Sequence, residues 1–171
     1  MMKMNDYRRR LTYALIVAIG LSLCVGMSSL AQAQGQALPG VSIKITPSSA
    51  SISSGQNLSV SVTLMNTSGR TLSLDSCEAN GMLAVVSVQN AEGKSPPMKL
   101  DAIRMFLCSG RAELTPIPSG SSITVSSSVT AGWDFTQPGV YTLSKAIDLY
   151  DPNLQRYTYS AVPVKITVVQ P

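Results

Sequence analysis

Apolar and polar residues alternate strictly along Leu58, Val60, Val62 and Leu64, with Ser59, Ser61 and Thr63 between them. That period of two places one row of side chains in a core and the other in water, which predicts a half-buried β-strand. Gly55-Gln56-Asn57 supplies a turn before it and Asn66-Thr67-Ser68-Gly69 one after. The same rhythm recurs in Val41/Ile43/Ile45, Leu72/Leu74, Ile123/Val125 and Val140–Tyr150. It recurs again in Tyr157–Val169, where Val162, Val164, Ile166 and Val168 share a parity and Pro163 falls on the other. Leu83–Val88 reads as a further strand, and Leu100–Leu107 as a short strand or one helical turn. Turn signals recur every ten to twelve residues, no amphipathic helix is apparent, and no repeat of 20–50 residues is found. The expectation is an all-β protein, a single β-sandwich of seven to eight strands.

The N-terminus follows different rules. Lys3, Arg8, Arg9 and Arg10 precede an apolar run, Leu11–Val25, and Ala31-Gln32-Ala33 has the small-x-small pattern of a cleavage site. This order predicts a Sec-type signal peptide over residues 1–33, cut after Ala33, then a flexible lead-in over 34–40 and the sandwich over 41–169. A retained anchor is the alternative, although the run of 15 residues is short against the about 20 that a bilayer span needs. Cys24 follows Leu23, too large for a lipoprotein signal, and reads as part of the apolar run. The expected location is periplasmic or secreted, without stable membrane insertion after cleavage.

Removing the leader changes the charge balance. The remainder carries nine basic and eight acidic residues, so the basic excess of the whole chain implies neither nucleic acid nor anionic membrane as a partner. Two cysteines remain, Cys77 and Cys108. An even count in an exported chain favours a disulfide, which would contribute roughly 3–4 kcal/mol if unstrained; two free thiols are the alternative.

Composition removes much chemistry. The sequence contains no histidine, which excludes Ser-His-Asp and Cys-His hydrolases and His-ligated zinc. It has no phosphate-binding glycine loop or dinucleotide fingerprint. Asp148 and Asp151 read as solvated turn residues, too few oxygens for calcium. Met82, Met98 and Met105 lack copper-site spacing and read as packing. Asn57-Leu58-Ser59 and Asn66-Thr67-Ser68 match the glycosylation sequon, but the leader resembles a bacterial one and neither is expected to be used. The sequence predicts no cofactor, no metal and no enzyme activity. Tyr150, Arg156, Tyr157 and Tyr159 flank the loop Asp151–Gln155 and are the candidate contacts for a partner, since Tyr and Arg often anchor interfaces.

Two stretches resemble immunoglobulin-like folds of bacterial exported proteins. One is the motif Leu58-x-Val60-x-Val62-x-Leu64 with its flanking turns, similar to the second strand of such modules. The other, Asp134-Phe135-Thr136-Gln137-Pro138-Gly139-Val140-Tyr141, resembles a tyrosine corner, with Tyr141 bonding upstream backbone and Asp134 opening the corner. Leu143 stands where antibody domains have their second inter-sheet cysteine, so that bridge is absent. The resemblance is to a superfold, and a superfold does not fix a function. It implies a non-enzymatic module binding protein or glycan at the cell envelope or outside the cell. Second comes a proteinase inhibitor presenting Leu114-Thr115-Pro116-Ile117-Pro118 as a rigid loop; third comes an enzyme of unrecognised type.

Overall fold

Strict alternation becomes strand in the computed structural model, which describes residues 37–99 and 113–171. The strands are β1 (Val41–Pro47), β2 (Ser51–Ser53), β3 (Ser59–Asn66), β4 (Leu72–Asp75), β5 (Ser87–Asn90) and β6 (Leu114–Ile117). They continue as β7 (Ser121–Ser128), β8 (Gly139–Ser144), β9 (Ala146–Tyr150), β10 (Arg156–Ser160) and β11 (Val164–Val169). Two single-turn helices, α1 (Ser76–Ala79) and α2 (Val129–Gly132), and a 3-10 turn at Met82–Ala84 complete the described elements.

The strands form three open sheets, ordered β1-β3-β7, β10-β9-β4-β6 and β2-β11-β8-β5. β3 is central in the first, pairing Val62 with Ile45 on one side and Val125 on the other. The other two sheets share one long bent hairpin: β8 continues into β9 across Lys145, and β10 continues into β11 across residues 161–163. β4 pairs with β9 and β5 with β8, so the chain between them leaves the sheet as an excursion carrying α1 and the 3-10 turn. Inward side chains meet in one cluster that includes Leu58, Val60, Val62, Leu64, Leu74, Val88, Leu143, Leu149 and Ile166. The arrangement is all-β and sandwich-like.

Bends account for the differences from the alternating pattern. Among the described residues there are eleven strand segments against an expected seven to eight strands, because bends and the excursion split continuous runs. Leu83 and Ala84 are buried in the 3-10 turn, and the strand begins only at Ser87. In the last run Tyr157, Tyr159 and Ala161 are buried, yet so are Ile166 and Val168. The parity slips at the break between β10 and β11, leaving Val162 81% exposed and Pro163 outside any strand. Leu100–Leu107, with Met105, and Cys108 lie outside the described residues.

The corner at β8 is built locally. Tyr141 Oη donates to the Gln137 carbonyl at 2.8 Å, and Asp134 Oδ1 accepts the Thr136 N–H at 3.0 Å. Phe135 packs edge-on against the Tyr141 ring at 5.0 Å between centroids, a favourable aromatic geometry. Tyr141→Phe should cost about 1 kcal/mol, the net value of one such bond, and chemical denaturation will measure it.

Candidate functional site

The outward face of the bent hairpin follows from the register. Residues opposite one another in β9 and β10 are Tyr150/Arg156, Asp148/Thr158 and Ala146/Ser160, and alternation sends these outward while Ile147, Leu149, Tyr157 and Tyr159 turn into the core. Against this face stands the excursion after β4. Asp75 Oδ1 accepts the Cys77 N–H at 2.8 Å and so caps α1, as aspartate commonly does.

Face and excursion enclose a cleft of about 490 Å³ lined by Asp75, Glu78, Met82, Asp148, Tyr150, Arg156 and Thr158, together with Cys77, Ala146 and Ile147. Thr158 Oγ1 donates to Asp148 Oδ1 at 2.6 Å, and the Arg156 guanidinium lies 3.7 Å from Asp148 Oδ2. Both members of the Arg156 pair are well exposed, so it orients the side chains more than it stabilises the fold.

Lys145 braces the cleft's wall. It stands at the bend between β8 and β9, its side chain only 9% exposed, with its ammonium 2.8 Å from Glu78 Oε2. The same group donates to the Met82 carbonyl at 2.8 Å. Glu78 Oε2 is buried and makes no aligned hydrogen bond, so its attraction to Lys145 is that of an ion pair. Lys145→Met should destabilise the chain by about 1–3 kcal/mol, since it strands a buried carboxylate oxygen and a carbonyl. The Lys145→Met/Glu78→Gln double variant should be less than additive in urea titrations.

Of the four residues proposed from sequence as partner contacts, the structure brings only Tyr150 and Arg156 to this face. Tyr157 and Tyr159 are corrected to core positions, 5% and 7% exposed, because the odd parity of β10 faces inward. Tyr159 Oη accepts the Leu38 N–H at 3.1 Å, which ties down part of the lead-in. Tyr157 Oη donates to Asp151 Oδ2 at 3.4 Å. Asp151 is buried instead of solvated. Its Oδ1 accepts the N–H groups of Asn153 and Gln155, each at 2.9 Å, which organises the hairpin loop and holds exposed Leu154 at φ 61°. Asp134 and Tyr141 lie at the corner, away from the residues that line the cleft. Cys77 is in a disulfide; its expected partner Cys108 lies outside the described residues.

Burial raises the Tyr141 phenol above its ordinary 10.0, with Asp134 adding to the shift. Burial also raises Tyr159, with Tyr157 adding and the Leu38 hydrogen bond opposing. Each phenol therefore keeps its proton to higher pH when folded than when unfolded. The stability this carries is complete below about pH 10 and is lost as pH rises through the folded values. Denaturation midpoints should be flat on this account below about pH 9 and fall above about pH 10, less steeply in Tyr141→Phe.

Asp75, Glu78, Lys145 and Thr158 join the site without having been singled out from the sequence, and Asp148, read there as a solvated turn residue, joins it too. Among the described residues no group of three or more Cys, Asp or Glu is placed to hold a metal ion, and no helix is long and apolar enough to cross a membrane.

The fold and the cleft define an all-β, sandwich-like domain with a polar surface cleft. No family model and no curated protein matches the chain. A structural-genomics target designated SoR45 is similar at a TM-score of 0.46 and 11% identity, covering 74% of this chain and 86% of its own. A Bordetella pertussis protein provisionally named ApaA also reaches 0.46, at 9% identity, covering 77% of this chain and 95% of its own. PapD-like domain 7 of human CEP192 reaches 0.36 at 9% identity, covering 85% and 97%. Likenesses this loose identify no family and carry no argument about function.

Proposed function

We propose that the chain is an exported, non-enzymatic binding module of immunoglobulin-like type, recognising protein or glycan at the cell envelope or outside the cell. The observation that carries this reading is the cleft, where Tyr150 and Arg156 sit side by side on an outward sheet face against a braced wall. Its volume lies within the range of about 300–1,000 Å³ usual for ligand sites. The leader pattern over residues 1–33 supports export, with cleavage after Ala33, and the cysteine count supports a Cys77–Cys108 bridge. Sequencing the N-terminus of the mature protein and non-reducing peptide mass mapping will test both; an N-terminus upstream of Gln34 or free thiols would overturn them.

The inhibitor reading loses its motif. Leu114–Ile117 is strand β6, paired along β4 from Leu72↔Ile117 to Asp75↔Leu114, so it is not a loop free to enter a protease. The binding reading is tested by capture from envelope extract. A ligand should be retained by the native chain and released by Tyr150→Ala/Arg156→Ala; capture that is absent, or equal for both, contradicts it.

A further inference from the structure

The cleft's lining points to the chemistry of its ligand, an inference that rests on reading the cleft as a binding site. We infer that it takes a neutral saccharide. Two of its three carboxylates are already matched: Arg156, in the lining, pairs with Asp148, and Lys145, outside the lining, pairs with Glu78, which leaves Asp75 as one formal negative charge. A strongly charged ligand would find no comparable counter-charge there. A purely apolar ligand would strip water from these carboxylates and the guanidinium without replacing its hydrogen bonds, which is costly.

A polyhydroxylated ring meets both demands. Its hydroxyls donate to the carboxylates of Asp148 and Asp75 and to Thr158 Oγ1, whose own hydrogen is held by Asp148, and accept from Arg156, so every polar group stays paired. Thr158 and Arg156 already fix the Asp148 carboxylate from two sides, at 2.6 and 3.7 Å, which preorganises the acceptors and lowers the cost of binding. Tyr150, opposite Arg156 in the register, and Met82 supply the apolar surface against which the C–H face of a sugar packs. A cleft of about 490 Å³ has room for about two pyranose rings, by the usual fit of ligand to pocket. The Lys145–Glu78 brace holds the wall at that spacing.

The test is an NMR titration of the ¹⁵N-labelled chain with triacetylchitotriose, maltotriose and cellotriose as neutral probes, and tetralysine and tetraglutamate as charged ones. The expected result is a saturable shift of amides in Asp75–Glu78, Asp148–Tyr150 and Thr158 with at least one neutral trisaccharide, and none with either charged peptide. Asp148→Asn and Tyr150→Ala should each weaken that binding at least tenfold while leaving the thermal midpoint within about 2 °C, as surface substitutions do. The inference is overturned if no trisaccharide gives a saturable shift below about 10 mM, a limit corresponding to very weak affinity. Shifts outside the cleft, or a charged peptide binding the cleft in place of every sugar, overturn it equally. In the last case the cleft remains a binding site and only the ligand class is wrong; if envelope capture fails too, the binding reading falls with it.

Discussion

Val62→Asp will leave the chain unfolded, while its neighbour Ser61→Asp will fold. Val62 is fully buried at the centre of the middle strand, opposite Ile45 and Val125. A carboxylate there must either sit unpaired in the core or take up a proton, and either outcome costs several kcal/mol. Against a total stability of about 5–15 kcal/mol for a domain of this size, that loss together with the lost valine packing removes most of the margin. Ser61 faces the other way, its Oγ paired with Ser126 Oγ at 2.7 Å on the outer face of the same sheet. Aspartate at 61 keeps access to water and should cost under about 1 kcal/mol. Far-UV circular dichroism and a urea titration of the two variants will show a random-coil spectrum for one and a near-native midpoint for the other.

Asn66→Ala should be the most damaging polar substitution, at about 3–4 kcal/mol if each lost partner counts at the usual value for a buried group. Asn66 is completely buried and uses its whole amide. Nδ2 donates to the carbonyls of Arg70 and Ile117, each at 2.8 Å. Oδ1 accepts from Ser68 N and Ser68 Oγ at 3.1 and 2.7 Å. One side chain thus closes the turn after β3 and ties it to β6. Alanine removes the side-chain donor from both carbonyls, leaving that of Arg70 only a long 3.4 Å contact from Ser68 Oγ; aspartate would set a carboxylate against them. Asn57→Ala, at an exposed position, should change the denaturation midpoint little. The same geometry explains why the sequon at Asn66 is unsuited to glycosylation in the folded chain: both Nδ2 hydrogens are engaged and water is excluded.

Period-two alternation made β1, β3, β7 and β8 legible, since each keeps one phase along its length. It failed where the chain changes phase or leaves the sheet. The slip after Ala161 moved Val162 outward, and an alternating pattern cannot reveal a break placed between two strands of opposite parity. Tyr157 and Tyr159 were placed on the surface by residue type, although alternation within Arg156–Ser160 puts them on the face opposite Arg156. One wall of the cleft, Cys77, Glu78 and Met82, comes from the excursion, whose helix is a single turn and too short for a periodic signal. Two marks of it were readable. Asp75 followed by Glu78 is the spacing of a helix N-terminus. Lys145, on the parity of Tyr141, Leu143, Ile147 and Leu149, signals a cation drawn inward by a partner. That partner, Glu78, is brought to it by the excursion, which no local pattern encodes.

The central claim is that this chain binds its ligand through the cleft beside β9 and β10, and equilibrium binding of the fluorescently labelled chain to isolated envelope fragments tests it most directly. Three forms should be compared: the native chain, Tyr150→Ala/Arg156→Ala, and Ser61→Asp as a folded control on a different sheet. The account predicts saturable binding by the native chain and the Ser61→Asp control, and at least a tenfold loss in the cleft variant, equivalent to about 1.4 kcal/mol. Undiminished binding by a folded cleft variant, or a loss confined to Ser61→Asp, would contradict it.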